Sequence, residues 1–263
     1  MNAKMPPSRL DMTALRGVAM VAPGDDMAAL IVAALNTNRI QLVDGDVVVI
    51  AQKVVSKAEG RLVDLRTVDV NEEALQLAQE TEKDPRLVTL ILSEARRVVR
   101  VRPGLIVVEH RLGFVMANAG IDQSNVGAGI EGDESDNVLL LPLDPDRSAA
   151  IIRRELALRL GAECGVVICD SFGRPWRQGT VGVAIGLAGF PALLDLRGWP
   201  DLDGRPLAVS ITSPADEVAA AASLLMGQGS EGQPIVHVRG LNIKAEDARA
   251  VDLVRPAEQD LFR

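Results

Sequence analysis

Aromatic side chains are scarce in this chain: Tyr is absent, and aromatic residues make up 2% of the 263 positions. Proteins that bind single-stranded nucleic acid stack the bases on aromatic side chains. The net charge of −8 would also repel a phosphate backbone. We therefore expect no nucleic-acid partner.

Long apolar runs are missing as well. No segment approaches the roughly 20 apolar residues that a membrane-spanning helix needs. The first 20 residues carry charges and prolines where a signal peptide would have an apolar core. We therefore expect a cytoplasmic protein with no membrane partner. Hydrophobic residues still make up 48% of the chain, enough for a sizeable core in one large domain or two small lobes.

Cysteine and histidine number only two each. Cys164 and Cys169 flank one predicted strand and match no metal motif, so we interpret them as buried free thiols of a reducing compartment. His110 and His237 are far apart in the sequence. This composition disfavours zinc and favours a hard cation bound by oxygen ligands.

Helices and strands follow one another irregularly, which predicts an α+β fold of mixed sheets with flanking helices. Capping residues and apolar periodicity predict helices near 26–36, 71–80, 84–95, 145–160 and 214–226. Short apolar runs predict strands at 47–51, 98–101, 105–109, 114–117, 139–141, 165–169, 181–187, 207–212 and 234–239, with a further edge strand at 18–21. Neither of the common glycine-rich phosphate loops opens a helix.

Asp170 follows the buried strand 165–169 and precedes a segment with two arginines and two glycines. We expect this segment to be a loop between two strands. Asp170 would hold a cation there, and Arg174 and Arg177 would hold an anion. The alternative is a surface loop in which Asp170 pairs with an arginine.

Two further polar segments follow predicted strands. Lys53, Ser56 and Lys57 come after the strand 47–51 and are suited to phosphate oxygens, although a solvated strand-to-turn junction has the same composition. Residues 118–125 concentrate oxygen-bearing side chains, which are also typical of a turn with Asx hydrogen bonds. Residues 127–137 are glycine-rich and acidic and predict a mobile surface loop without EF-hand spacing.

Several ordered motifs resemble those of the coenzyme F420-0:L-glutamate ligases, a family also described as gamma-glutamyl ligases. The similarity extends from about Gly17 to Asn242. Its motifs are VVSKAEG (54–60), KDPRLV (83–88), NAGIDQSN (118–125), DSFGRPWR (170–177), VGVAIG (181–186), DLDGR (201–205) and ADEVAAAA (215–222).

The resemblance implies a GTP-dependent ligase that attaches one or more γ-linked L-glutamates to F420-0 through an acyl phosphate. It also implies Mn²⁺ or Mg²⁺, a contribution from K⁺, and an intertwined homodimer with an α+β fold peculiar to the family. Residues 1–263 would then form one ligase unit without the C-terminal reductase domain that some relatives carry.

The resemblance also assigns roles to residues. Asp122, Asp170 and Ser171 would be metal ligands, joined by Gln228, which stands where archaeal relatives have an acidic residue. With Lys57, the two aspartates would form the catalytic set. The implied nucleotide contacts are Gly17, Val18, Ala19, Met20, Gln52, Lys53, Lys57, Asn125, Met226, Gly227, Gln228, Gly229, Ser230, Glu231, Gly232 and Gln233.

Two other functions use the same residues. A metal-dependent nucleotide phosphohydrolase would let water attack in place of the acceptor carboxylate. A catalytically silent protein would bind the deazaflavin or GTP without converting it. Asp122, Asp170 and Lys57 favour a catalyst, whereas Gln228 is the residue that best fits a silent protein.

Overall fold

The computed structural model describes residues 8–126, 136–241 and 243–260. Its helices are α1 (Met27–Thr37), α2 (Gln52–Ala58), α3 (Glu72–Thr81), α4 (Pro85–Glu94), α5 (Pro145–Leu160) and α6 (Pro214–Met226). Its strands are β1 (Asp11–Ala14), β2 (Val47–Ala51), β3 (Leu62–Asp64), β4 (Ala95–Arg102), β5 (Leu105–His110), β6 (Val115–Ala117), β7 (Asn137–Leu139), β8 (Gly165–Arg174), β9 (Arg177–Ala188), β10 (Leu194–Asp195), β11 (Ile211–Thr212) and β12 (Ile235–Arg239). The predicted α+β class is confirmed.

The main sheet has five strands in the order β1-β12-β2-β8-β9. The strand β2 lies at its centre, antiparallel to β12 and parallel to β8. Four of its five residues are fully buried, as its continuous apolar sequence predicts for a strand covered on both faces. The pairing of β2 with β8 extends to the last residue of β2, with Ala51 opposite Cys169 in the middle of β8. The residues that follow these two positions therefore emerge at the same edge of the sheet.

The edge strand β9 is protected by side chains of two helices. Asp216 in the first turn of α6 accepts a 2.9 Å hydrogen bond from the backbone N–H of Ala184. Asp146 in the first turn of α5 accepts a 2.9 Å bond from the N–H of Leu187. An exposed strand edge can pair with another chain through its free backbone N–H groups. The two carboxylates bind such N–H groups of β9 and also attach the helices to this strand.

Helix α6 packs very closely against β9 at Gly182. A Cβ at this position would lie 2.4 Å from the carbonyl oxygen of Ala219. The missing side chain thus allows helix and strand backbones to touch, which brings the C-terminal end of α6 to the edge of the sheet where β2 ends.

A second hydrophobic cluster lies apart from the core around the main sheet. It is formed by α3 and α4 packing with the three-stranded sheet β4-β5-β6 and the pair β3-β7. Ion pairs centred on Glu94 link it to neighbouring segments: Arg61 Nη2 lies 2.8 Å from Glu94 Oε1 and Arg111 Nε lies 3.0 Å from Glu94 Oε2. No helix in the described part of the chain is long and apolar enough to cross a membrane.

Some local predictions were wrong. Residues 170–174 continue β8 and form a hairpin with β9, so Asp170 lies within a strand and not in a loop. Residues 52–58 form a helix that the sequence did not predict. The helix buries Ser56, whose hydroxyl bonds to Gln52 and does not line the cavity described below. The N-terminal edge strand lies at Asp11–Ala14 and not at 18–21, and the strand predicted at 207–212 is reduced to its last two residues. Most of the acidic segment 127–137 lies outside the described residues.

Candidate functional site

A cavity of about 800 Å³ lies at the edge of the main sheet where β2 ends. Three segments meet there for topological reasons. Helix α2 begins directly after the last residue of β2. Asp170 follows Cys169, the β8 residue that pairs with the last residue of β2. The loop after α6 leads into β12, which lies antiparallel beside β2. Clefts of several hundred Å³ are the usual size for small-molecule sites.

Most residues predicted from the sequence line this cavity. These are Val18, Ala19, Met20, Gln52, Lys53, Lys57, Asn125, Asp170, Ser171, Met226, Gly227, Gln228, Gly229, Ser230, Gly232 and Gln233. Residues 18–21 have no strand conformation but still contribute to the wall.

The remaining predicted residues do not line the cavity. They lie next to residues that do, or farther along the hairpin of β8 and β9. Asp122 contacts Gln52 and Lys53. Residues 226–233, which we call the glycine loop, include Glu231, and its carboxylate accepts a 2.8 Å bond from the Gly229 N–H. Gly17 precedes the lining segment with a φ of +78°. Arg174 and Arg177 pair with each other in the register of β8 and β9 and do not line the cavity. Nη1 of Arg174 is buried with no hydrogen-bond partner in the described structure.

The lysines of α2 hold the segment after Asp122. Lys53 Nζ donates to the carbonyl oxygen of Ser124 at 2.9 Å, and Lys57 Nζ donates to that of Asn125 at 2.9 Å. The side-chain amide of Asn125 in turn donates to the carbonyl oxygen of Gly229 at 2.9 Å. Three segments distant in sequence are thereby tied together around the cavity. Burial and the neighbouring charge of Lys53 lower the pKa of Lys57.

Two aspartates give this region a concentrated negative charge. Burial and the charge of Asp122 raise the pKa of Asp170 to about 7. Burial also raises the pKa of Asp122, although Lys53 and Gln52 partly offset the effect. Buried carboxylates without full compensation are costly, and a bound cation would remove that cost.

Neutral oxygen ligands lie beside these acids. The Ser171 hydroxyl donates a 3.1 Å hydrogen bond to Oε1 of Gln228. Both side chains line the cavity next to Asp170. Carboxylate, hydroxyl and amide oxygens fit Mg²⁺ or Mn²⁺. No cluster of three or more His, Cys, Asp or Glu side chains suited to a metal occurs among the described residues, so such an ion would depend on Ser171, Gln228, water or a ligand for further oxygens.

Sequence reasoning missed several residues of the wall: Val21, Ala51, Val54, Gln123, Val126, Cys169, Gly182, Ser223 and Pro234. Most of them adjoin a predicted residue and could have been included by position. Gly182 and Ser223 could not, because they reach the cavity through the packing of α6 on β9. Cys169 is a buried thiol, as predicted, and burial raises its pKa to about 12.

Comparison with known proteins decides the family. Residues 17–240 match the family described as F420-0:Gamma-glutamyl ligase. The chain belongs to this family. A relative from Methanothermobacter thermautotrophicus is 46% identical over 256 residues, covering 97% of this chain and 99% of its own length. One from Methanopyrus kandleri is 46% identical over 247 residues, covering 92% of this chain and 93% of its own.

A more distant relative, from Halobacterium salinarum, is 41% identical over 256 residues, which is 95% of this chain and 94% of its own length. All three are named coenzyme F420:L-glutamate ligase. The similarity extends over all segments that form the cavity.

Proposed function

We propose that this chain is a GTP-dependent ligase that attaches L-glutamate, once or repeatedly through γ-linkages, to the deazaflavin precursor F420-0. The observation that carries the proposal is the meeting of Lys57, Asp170 and the glycine loop in the wall of one cavity of about 800 Å³. Ligases of this family provide the chemical identity of the substrates.

The nucleotide would be held by the lysines and the glycine loop. Lys53 and Lys57 lie one helical turn apart on α2, and both line the cavity. They supply positive charge for phosphate oxygens. The residues 226–233, of which three are glycines, let the backbone approach a ligand closely. These contacts support a triphosphate in the cavity.

The residues also fit a divalent cation, either Mn²⁺ or Mg²⁺. Asp122, Asp170, Ser171 and Gln228 would hold it, because they combine two acids and two neutral oxygens beside the cavity. When bound, the cation supplies charge neutralisation to the transferring phosphoryl group. We expect K⁺ to increase activity, as the family resemblance implies.

The reaction would proceed in two displacements. An oxygen of the F420-0 carboxylate attacks the γ-phosphorus of GTP, the bond to the bridging oxygen breaks, and GDP leaves. The amine of L-glutamate then attacks the carbonyl carbon of the acyl phosphate, and phosphate leaves with one oxygen of the original carboxylate. The carboxylate is ionised near neutral pH and needs no base, whereas the attacking amine gives up a proton to an acceptor that we leave unassigned.

We propose that two copies of the chain form the active assembly. Large apolar side chains are exposed on the segment that joins β9 to α6, where Leu202 and Val209 project fully or almost fully into solvent. Clustered exposure of this kind is typical of protein interfaces. Sedimentation equilibrium would give a dimer mass for the wild type and a lower mass for Leu202→Lys. A monomeric wild type would overturn this part of the proposal.

An isotope experiment tests the function directly. F420-0 labelled with ¹⁸O in the acceptor carboxylate is incubated with GTP, Mn²⁺ and L-glutamate, and the products are analysed by mass spectrometry. The proposal predicts a glutamyl mass increment on the deazaflavin and one ¹⁸O in the released phosphate. Unlabelled phosphate without a glutamyl product would identify a phosphohydrolase. Binding without any turnover would identify a silent binding protein.

A further inference from the structure

The buried hydroxyl of Ser56 begins a chain of hydrogen bonds that ends on Asp122. Ser56 Oγ lies 2.8 Å from Gln52 Oε1, and Gln52 Nε2 lies 2.5 Å from Asp122 Oδ2. Ser56 is 0% exposed and Gln52 is 1% exposed. Both side chains are therefore shielded from bulk water, although Gln52 also contributes to the cavity wall.

The direction of this chain is fixed by chemistry. An ionised carboxylate accepts hydrogen bonds only, so the Gln52 amide must present its N–H₂ group to Asp122. Its oxygen then faces Ser56 and needs a donor, which the hydroxyl of Ser56 supplies. If that donor were lost, a buried amide oxygen would have no partner, and the amide would have less reason to keep its orientation.

We propose that Ser56 is a positioning residue for Asp122 that acts through Gln52. Lys53 Nζ lies 3.4 Å from Oδ1 of Asp122, so the two oxygens of the carboxylate are held by different partners. Residues that hydrogen-bond a metal-binding carboxylate set its orientation and thereby the affinity for the metal. The inference rests on the proposed function, because it assumes that Asp122 is a metal ligand.

The direct test is Mn²⁺ affinity, measured by electron paramagnetic resonance of free Mn²⁺ during titration of the protein with GTP present. Outer hydrogen-bond partners of metal ligands typically contribute about 10–100-fold to affinity. We expect Ser56→Ala to weaken Mn²⁺ binding by about tenfold. Val55→Ala is the matched control: Val55 is the buried neighbour on α2, and its truncation should lower the melting temperature without changing Mn²⁺ affinity.

A double-mutant cycle shows whether Ser56 acts through Gln52. Gln52→Met removes both hydrogen bonds of the amide while keeping a similar side-chain length. In that background Ser56→Ala should have no further effect on Mn²⁺ affinity. If Ser56→Ala does not fold, Ser56→Cys takes its place, since a thiol is a weaker donor of nearly the same size.

The outcomes separate this inference from the proposed function. Equal Mn²⁺ affinity for Ser56→Ala and the wild type, or additive effects of the two substitutions, would overturn the positioning role. A wild type that binds no Mn²⁺ with GTP present would overturn the metal assignment and this inference with it. Glutamyl transfer by the same preparation would still be measured independently.

Discussion

The hydroxyl of Ser171 donates a 3.1 Å hydrogen bond to the side-chain oxygen of Gln228. This contact joins the residue after Asp170 to the glycine loop that follows α6. It places the side-chain oxygen of Gln228, which is an exposed residue, beside the strand that carries Asp170. The charge of residue 228 is therefore expected to act on any cation held there.

We expect Gln228→Glu to lower the concentration of Mn²⁺ or Mg²⁺ needed for half-maximal activity. At an effective dielectric constant near 20 and about 4 Å, one added charge interacts with another by about 4 kcal/mol before desolvation offsets part of it. If about 1.4 kcal/mol of this interaction remains, the affinity for the cation changes tenfold. The measurement is activity against metal concentration.

The control for this charge is Gln79→Glu, the same substitution at an exposed position of α3. It should leave the metal titration unchanged. Superimposable titrations of Gln228→Glu and the wild type would show that residue 228 does not interact with the cation.

Lys57→Ala should weaken GTP binding more than it slows turnover. Lys57 lines the cavity and donates to the carbonyl oxygen of Asn125, so its loss removes a positive charge and loosens the segment after Asp122. We expect KM for GTP to rise about tenfold or more, with a smaller change in kcat. Lys244→Ala, at an exposed position, is the control. An unchanged KM for GTP in Lys57→Ala would limit Lys57 to a structural role.

Gly182→Ala should destabilise the protein. The added Cβ would lie 2.4 Å from the backbone oxygen of Ala219, so α6 would have to move away from β9. Overpacking of this kind typically costs about 1–3 kcal/mol. Gly173→Ala in the same hairpin is the control, because a Cβ there meets nothing within 4 Å. Urea unfolding of both variants measures the difference, and equal midpoints would contradict the close packing.

The ion pairs of Glu94 should make stability depend on pH. Burial opposes ionisation, but the His110 imidazole 3.4 Å away and hydrogen bonds from Arg61 and Arg111 lower the pKa of Glu94 to about 2. Because the pKa in the folded state is depressed, the stabilisation is present above about pH 4.5 and is lost as pH falls toward 2.

Glu94→Gln should therefore reduce the free energy of unfolding by about 2–3 kcal/mol at pH 7. The difference from the wild type should shrink between pH 4.5 and pH 3, as measured by urea unfolding. The matched variant Glu80→Gln, at an exposed position of α3, should change the free energy of unfolding little at pH 7 and at pH 3. A Glu94→Gln deficit that stayed constant with pH would contradict the ion-pair account.

Elements with local signals were predictable from the sequence. Helix α4 begins after the capping Asp84 with Pro85 in its first turn, and α5 ends at Gly161 in a left-handed conformation. Both were expected from capping chemistry alone. The central position of β2 is consistent with its continuous apolar sequence, because strands buried on both faces typically have that composition.

Helix α2 was missed because its seven residues contain two adjacent valines directly after a strand. Its signal was present in the buried positions Gln52, Val55 and Ser56, which have the i, i+3, i+4 spacing of a helix. The extension of β8 past Asp170 was missed for a different reason. Arginines, glycines and a proline resemble a loop, and only pairing with β9 keeps this segment extended.

The residues of the candidate site were found mainly through the family motifs, and the structure shows why local sequence could not have grouped them. Asn125 and Gly229, 104 positions apart, are joined by a hydrogen bond. Ser171 and Gln228 are joined across 57 positions. Such contacts depend on the order of strands in the main sheet, which no local pattern encodes.

The central claim is that this cavity couples GTP consumption to amide formation. The most direct measurement follows GDP and glutamyl product in the same reaction, for the wild type and for Asp122→Asn and Asp170→Asn, with their melting temperatures recorded as a check of folding. We predict one GDP for each amide bond formed by the wild type, and loss of both products in the two folded variants. GTP consumption that continued unchanged without F420-0 and L-glutamate, or undiminished product from either variant, would contradict the claim.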